Sequence, residues 1–86
     1  MDPKRIVKRS SLHRDIIAFF HENPSSIDTP RGISVWVRAD FGDVRKVLDE
    51  LVDEGILQAH KAPSTTGYSY TRNPRMISKI KKALKG

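Results

Sequence analysis

Cysteine is absent from this 86-residue chain. That absence excludes a disulfide-stapled scaffold, a cysteine-ligated zinc ribbon and a thiol nucleophile together. Aromatic residues are few, with one Trp, two Tyr and three Phe. No apolar run approaches the ~18 residues that a membrane-spanning helix needs. The basic residues of the opening MDPKRIVKRSSL have no apolar stretch behind them, so no secretory leader is expected and the expected location is cytoplasmic. His13, His21 and His60 lack the HExxH spacing and any cysteine partner, so neither a metal nor another cofactor is expected. Nothing resembles a nucleophile elbow or a phosphate-cradling glycine loop, and so short a chain leaves little room to enclose a substrate. An enzyme is not expected.

What the chain has is positive charge, unevenly placed. The net charge is +6 at pH 7. Residues 1–14 hold five basic side chains against Asp2, and residues 74–86 hold five against no acid. The middle 59 residues carry nine acids and six bases, so two basic ends flank a mildly acidic centre. Such a distribution points to a polyanionic partner, nucleic acid above all, against the plainer reading of charge as a solubility device.

Periodicity and punctuation divide the chain further. Residues 1–10 read as a basic arm that Ile6 and Val7 could pin down. Leu12, Ile16, Phe19 and Phe20 line one face of a helix over 11–23, with Ser10 or Ser11 as its cap and Pro24 as its stop. Thr29-Pro30 is a second start signal. The segment after it is ambiguous, because Ile33, Val35 and Val37 alternate as a strand while Ile33, Trp36 and Val37 fit a helix. The cap favours a short helix, with Trp36 as a core anchor and Ile27 in a short strand before it. Val44, Val47, Leu48, Leu51 and Val52 form the stripe of a helix over 41–54, capped by Asp40 and closed by Gly55. Only Ala39 and Asp40 are expected between these two helices, a tight helix-turn-helix. Beyond Gly55 the period falls to two. Strands over 56–62 and 67–72 flank the turn Pro63-Ser64-Thr65-Thr66, with Tyr68 and Tyr70 on one face and packed on the helices. Asn73-Pro74 opens a last helix carrying Met76, Ile77, Ile80 and Leu84 on one side and lysines around the rest.

The order helix, helix, helix, hairpin, helix resembles a winged helix-turn-helix domain, broadly similar to those of MarR-type and ArsR-type bacterial regulators. The likeness rests on "VRKVLDELVDEGIL" (Val44 to Leu57) and "GYSYT" (Gly67 to Thr71). The expected fold is mainly α with a small β-hairpin: three helices, a two-stranded wing and a C-terminal helix. Its expected divisions are an arm over 1–10, the winged domain over 11–73 and a basic amphipathic helix over 74–86. The resemblance implies double-stranded DNA binding by a small transcriptional regulator, with helix 41–54 in the major groove and wing 57–72 on the backbone or minor groove. On the helix, Gly42, Arg45 and Lys46 point away from the apolar stripe; on the wing, Lys61, Ser64, Thr65, Thr66 and Arg72 are the candidate contacts. The cysteine pair of metal-sensing ArsR relatives is missing.

One feature argues the other way. Residues 40–54 contain six acids against Arg45 and Lys46, and phosphates repel such a surface. Asp40 and Asp43 suit the positive end of the helix, but the rest leaves an alternative open, a winged helix that docks a basic protein partner through its acidic face. The C-terminal helix also has two readings: its apolar strip closes the core of one protomer, or it pairs two copies in a weak homodimer. A membrane-surface role is disfavoured, because that strip is short and carries no aromatic residue.

Overall fold

Four helix starts are secured by a side chain that accepts from the first turn, satisfying amides that have no partner within the helix. Ser10 Oγ accepts from the His13 amide at 3.1 Å and Thr29 Oγ1 from Gly32 at 3.1 Å. Asp40 Oδ2 accepts from Asp43 at 3.1 Å and Asn73 Oδ1 from Arg75 at 2.9 Å. These caps begin α2 (Ser11–Glu22), α3 (Pro30–Val37), α4 (Phe41–Asp53) and α5 (Pro74–Lys85) in a computed structural model of the chain. Among the described residues three short strands and one further helix complete it: α1 (Lys4–Val7), β1 (Ile27–Asp28), β2 (Leu57–Lys61) and β3 (Thr66–Tyr70). The structure describes residues 2–85; Met1 and Gly86, the outer ends of the expected arm and last helix, lie outside the described residues.

The strands form one antiparallel sheet in the order β1-β3-β2. The hairpin register pairs Leu57 with Tyr70, Ala59 with Tyr68 and Lys61 with Thr66. Residues directly opposite share a face, so Lys61, Thr66 and both tyrosines lie on the side that carries buried Leu57. The short strand expected at Ile27 joins the two-stranded wing as a third: Ile27 and Asp28 pair with Ser69 and Tyr68. At Gly67 an added Cβ would lie 2.9 Å from Cγ2 of Ile27, so any side chain there would force the two apart. Gly55 has a left-handed φ of 77°, and behind it the Ile56 amide reaches the Leu51 carbonyl at 2.9 Å. With Gly55 N–H on Val52 at 3.0 Å, this is the double closure that ends a helix and redirects the chain into a strand.

The core gathers around α2. Ile16, Ile17 and Phe20 of α2 are fully covered, as are Ile33 of α3, Val44, Leu48 and Leu51 of α4, and Ile80 of α5. The ambiguous segment is a helix, but Trp36 is not a core anchor: it is 69 % exposed. In eight residues α3 turns Pro30, Ile33 and Val37 inward, and these already fill the space; Trp36 is left on the flank, its ring 5.5 Å from that of Phe19. Three residues, Arg38, Ala39 and Asp40, separate α3 from α4, one more than expected, because Arg38 leaves the helix in a left-handed conformation at φ 55°.

Residues 2–10 are pinned down at Ile6 and Val7, the two residues expected to be able to do so. Asp2 Oδ1 accepts from the Lys4 amide at 3.0 Å, and the turn that follows buries Ile6 and Val7 against α2 and α5. Of the two readings of the C-terminal helix, the core one holds. Ile80 and Ala83 are buried against α1 and α2, while Met76, Ile77 and Leu84 are half-covered. The Arg14 guanidinium adds a hydrogen bond to the Leu84 carbonyl.

Ile80→Ala should therefore cost about 2–5 kcal/mol in urea unfolding, and Ile80→Asp should leave the chain unfolded rather than merely monomeric. Trp36→Ala should cost under about 1 kcal/mol, where a buried tryptophan would cost roughly 3–5.

Candidate nucleic-acid interface

Burying Val44, Val47, Leu48 and Leu51 leaves α4 with one outward side, and Gly42, Arg45, Lys46, Asp49 and Asp53 occupy it. The first turns of α3 and α4 lie beside each other and face the wing tip across an open cleft of about 520 Å³. Arg31 comes from the start of α3, Phe41 and Arg45 from α4, and Ser64, Thr65 and Thr66 from the wing. The Arg31 guanidinium carbon is 5.3 Å from the centroid of the Phe41 ring, which steadies a long side chain that solution would otherwise leave free. The tip is closed by the Ala62 amide on the Thr65 carbonyl at 2.9 Å. Two helix N-termini, two guanidinium groups and three hydroxyls thus border one concavity, a donor-rich surface suited to phosphate oxygens.

Four of the eight expected contact residues line this cleft: Arg45, Ser64, Thr65 and Thr66. Lys61 is paired with Thr66 beside it, and Lys46 is exposed on the neighbouring turn of α4. Gly42 has a structural reason to be glycine, since a Cβ would come within 3.1 Å of the capping oxygen of Asp40. Arg72 is not brought to the others. It follows the far end of β3 and borders a separate hollow with Pro24, Ser25 and His60. Arg31 and Phe41 also line the cleft and are not among those eight. Each was legible as a first-turn residue behind a cap, but that the two helix starts meet is a tertiary fact.

The acidic count of α4 changes meaning once partners are drawn. Asp40 caps the helix, and Asp49 Oδ1 accepts from the Tyr68 hydroxyl at 2.9 Å. Glu50 Oε2 receives Arg9 Nη1 at 2.6 Å and faces His13 Nε2 at 3.2 Å; His13 Nδ1 lies 2.7 Å from Ser10 Oγ. The carboxyl of Glu50 is held below its ordinary range mainly by the hydrogen bond from His13; partial burial opposes this, and Arg9 adds to the lowering. Asp53 and Glu54 sit at the helix end remote from the cleft. The helix therefore offers the cleft Arg45, with Lys46 exposed next to it, while much of its acidity is engaged inside the protomer.

Burial first, and then the bond to Asp49, push the Tyr68 hydroxyl up to about 12. Tyr70 is likewise pushed up to about 12 by burial, with its oxygen 3.0 Å from His21 Nδ1. Among the described residues no three metal-capable side chains converge, and no helix is long and apolar enough to cross a membrane.

No family model and no curated protein sequence matches the chain. Solved structures of Lactococcus lactis ZitR mutants do match. A double mutant in apo form superposes with a TM-score of 0.62 at 17 % identity, over 86 % of this chain and 57 % of that one. A single mutant gives 0.61 at 15 %, over 83 % and 49 %. The chain thus spans about half the length of the ZitR chains it matches. What the two share is the fold, an α+β winged helix with a small antiparallel sheet.

Two titrations follow from these side chains. A Glu50 carboxyl lowered in the folded state contributes stability that is present above 4.5 and lost as pH falls through its folded value, so Glu50→Gln should flatten the acid limb of a stability–pH curve. The tyrosines hold their protons to about 12 when folded and 10.0 when unfolded, so stability should fall as pH rises between those values. Tyrosinate absorbance near 295 nm, recorded with and without denaturant, should show the two onsets about 2 units apart.

Proposed function

We propose that the chain binds double-stranded DNA as a winged helix, most simply as a small transcriptional regulator. The observation that carries this reading is the cleft. It gathers Arg31, Arg45 and the hydroxyls of Ser64, Thr65 and Thr66 between two helix starts and a wing. The start of α4 enters the major groove, Arg45 and Lys46 reach base edges or phosphates, and Arg31 clamps the adjoining backbone. The wing tip, with Lys61 behind it, lies on the backbone or in the minor groove. Docking of a basic protein on the acidic face is less well supported, because Asp49 and Glu50 already have internal partners.

The proposal includes only weak self-association. Ile80 is used inside the protomer, and the half-covered Met76, Ile77 and Leu84 leave a second copy a small strip ringed by lysines. Added salt should strengthen such pairing in sedimentation, since it screens those lysines.

Four cations at the interface (Arg31, Arg45, Lys46 and Lys61) predict a log–log salt slope near −3.6, or roughly a 100-fold loss of affinity between 50 and 200 mM salt. Fluorescence anisotropy with a short duplex measures it. Arg45→Glu with Lys46→Glu should weaken binding at least roughly tenfold and make the slope shallower. A wild type that forms no salt-sensitive complex at low ionic strength, or a double variant that binds as the wild type does, would overturn the proposal.

A further inference from the structure

The two basic ends of the sequence meet in space. Helix α1 packs on α5, and between them runs an open groove of about 590 Å³. Lys4 and Lys8, one helical turn apart, form one wall; Lys79 and Lys82 form the other, with Ala83 between. Among the described residues the single acid at the groove is Asp2, whose carboxylate is engaged with the Lys4 amide. Among the described residues the ion pairs are confined to Arg9, His13 and Glu50, so none of the four ammonium groups has a carboxylate partner. The helix contact itself is made by the buried Ile6, Val7, Ile80 and Ala83 and has no need of lysines above it. Folding brings four like charges to one groove, at a cost in repulsion that a bound polyanion would relieve.

We propose that this groove is a second phosphate-binding surface, and that it takes the backbone of a second DNA segment so that one protomer bridges two duplexes. The inference rests on the reading of the wing face as the first DNA site. The two surfaces share no residue. The cleft is built by α3, α4 and the wing, whereas α5 packs on α1 and α2. A duplex held in the cleft therefore leaves the lysines open to another. An anionic membrane offers similar phosphates, but among the described residues Ala83 is the only apolar side chain lining the groove, and it is itself buried, a poor fit to a bilayer.

Two short duplexes carrying different fluorophores test the proposal by energy transfer at low salt, alongside anisotropy with a single duplex. Wild type should show transfer. A variant with Lys4, Lys8, Lys79 and Lys82 all changed to Gln should need at least roughly tenfold more protein for it, yet bind one duplex within about twofold of wild type. Its unfolding midpoint at low salt should equal or exceed that of the wild type, which shows that loss of transfer is not loss of fold. Single-duplex binding without transfer, or transfer that survives in the Gln variant, would overturn the groove while leaving the wing reading intact. Single-duplex binding lost in the Gln variant but kept in Arg45→Glu with Lys46→Glu would overturn both bridging and the wing reading. Phosphatidylserine vesicles bound by wild type and not by the Gln variant, with no transfer, would assign the groove to a membrane and overturn the proposal.

Discussion

The burial of one stripe of α4 against α2 governs the rest of the molecule. Val44, Leu48 and Leu51 are sealed among Ile16, Ile17 and Phe20, and a helix held by such a stripe cannot rotate without exposing it. That contact decides which side of α4 faces outward, and so where Arg45 and Lys46 point. It also sets where the chain leaves α4. The left-handed turn at Gly55 aims Ile56 back into the core and starts the hairpin from a fixed place. The wing tip is thereby carried round to the start of α4, and the cleft exists because both ends of this path are anchored in one core.

Electrostatics is arranged around the same helix. Glu50 and Asp49, which in one dimension look like a repulsive face, serve as acceptors that tie α4 to its surroundings. Glu50 draws in Arg9 from the N-terminal segment and His13 from α2, and Asp49 holds the hydroxyl of the wing residue Tyr68. Each bond is worth little on a half-exposed surface. Together they orient three neighbouring elements and leave the positive groups free. Charge that is spread through the sequence as basic ends and an acidic centre becomes, in the fold, a basic cleft, a basic groove and an internally engaged acidic flank.

The placement of apolar residues shows where one-dimensional reasoning works. The stripes of α2 and α4 were legible because each helix buries one wide face over three turns, and a repeat that long is unambiguous. Trp36 misled because a helix of eight residues has too few turns to say which apolar side chains face inward. Three of its positions suffice to cover α2, and the largest was left outside. The N-terminal segment is legible only in part, as an arm that Ile6 and Val7 could pin down. Ile6 and Val7 are two adjacent apolar residues with no period at all, and only the nearness of α2 and α5 gives them a place to be buried.

What the sequence determined by itself was local: the caps at Ser10, Thr29, Asp40 and Asn73, the stop at Gly55, the change of period at the hairpin, and the family of fold those signals compose. Such features depend on neighbours within a few residues, and the side chains that make them are visible in order. Tertiary structure decided everything that needs two distant segments at once. It set Arg31 beside Arg45 and kept Arg72 away, engaged Glu50 with Arg9 and His13, and closed the last helix on its own core. It also brought Lys4 and Lys8 opposite Lys79 and Lys82. Packing of the apolar faces alone selects those meetings, and the charged residues that ride on the outer faces are carried wherever that packing takes them.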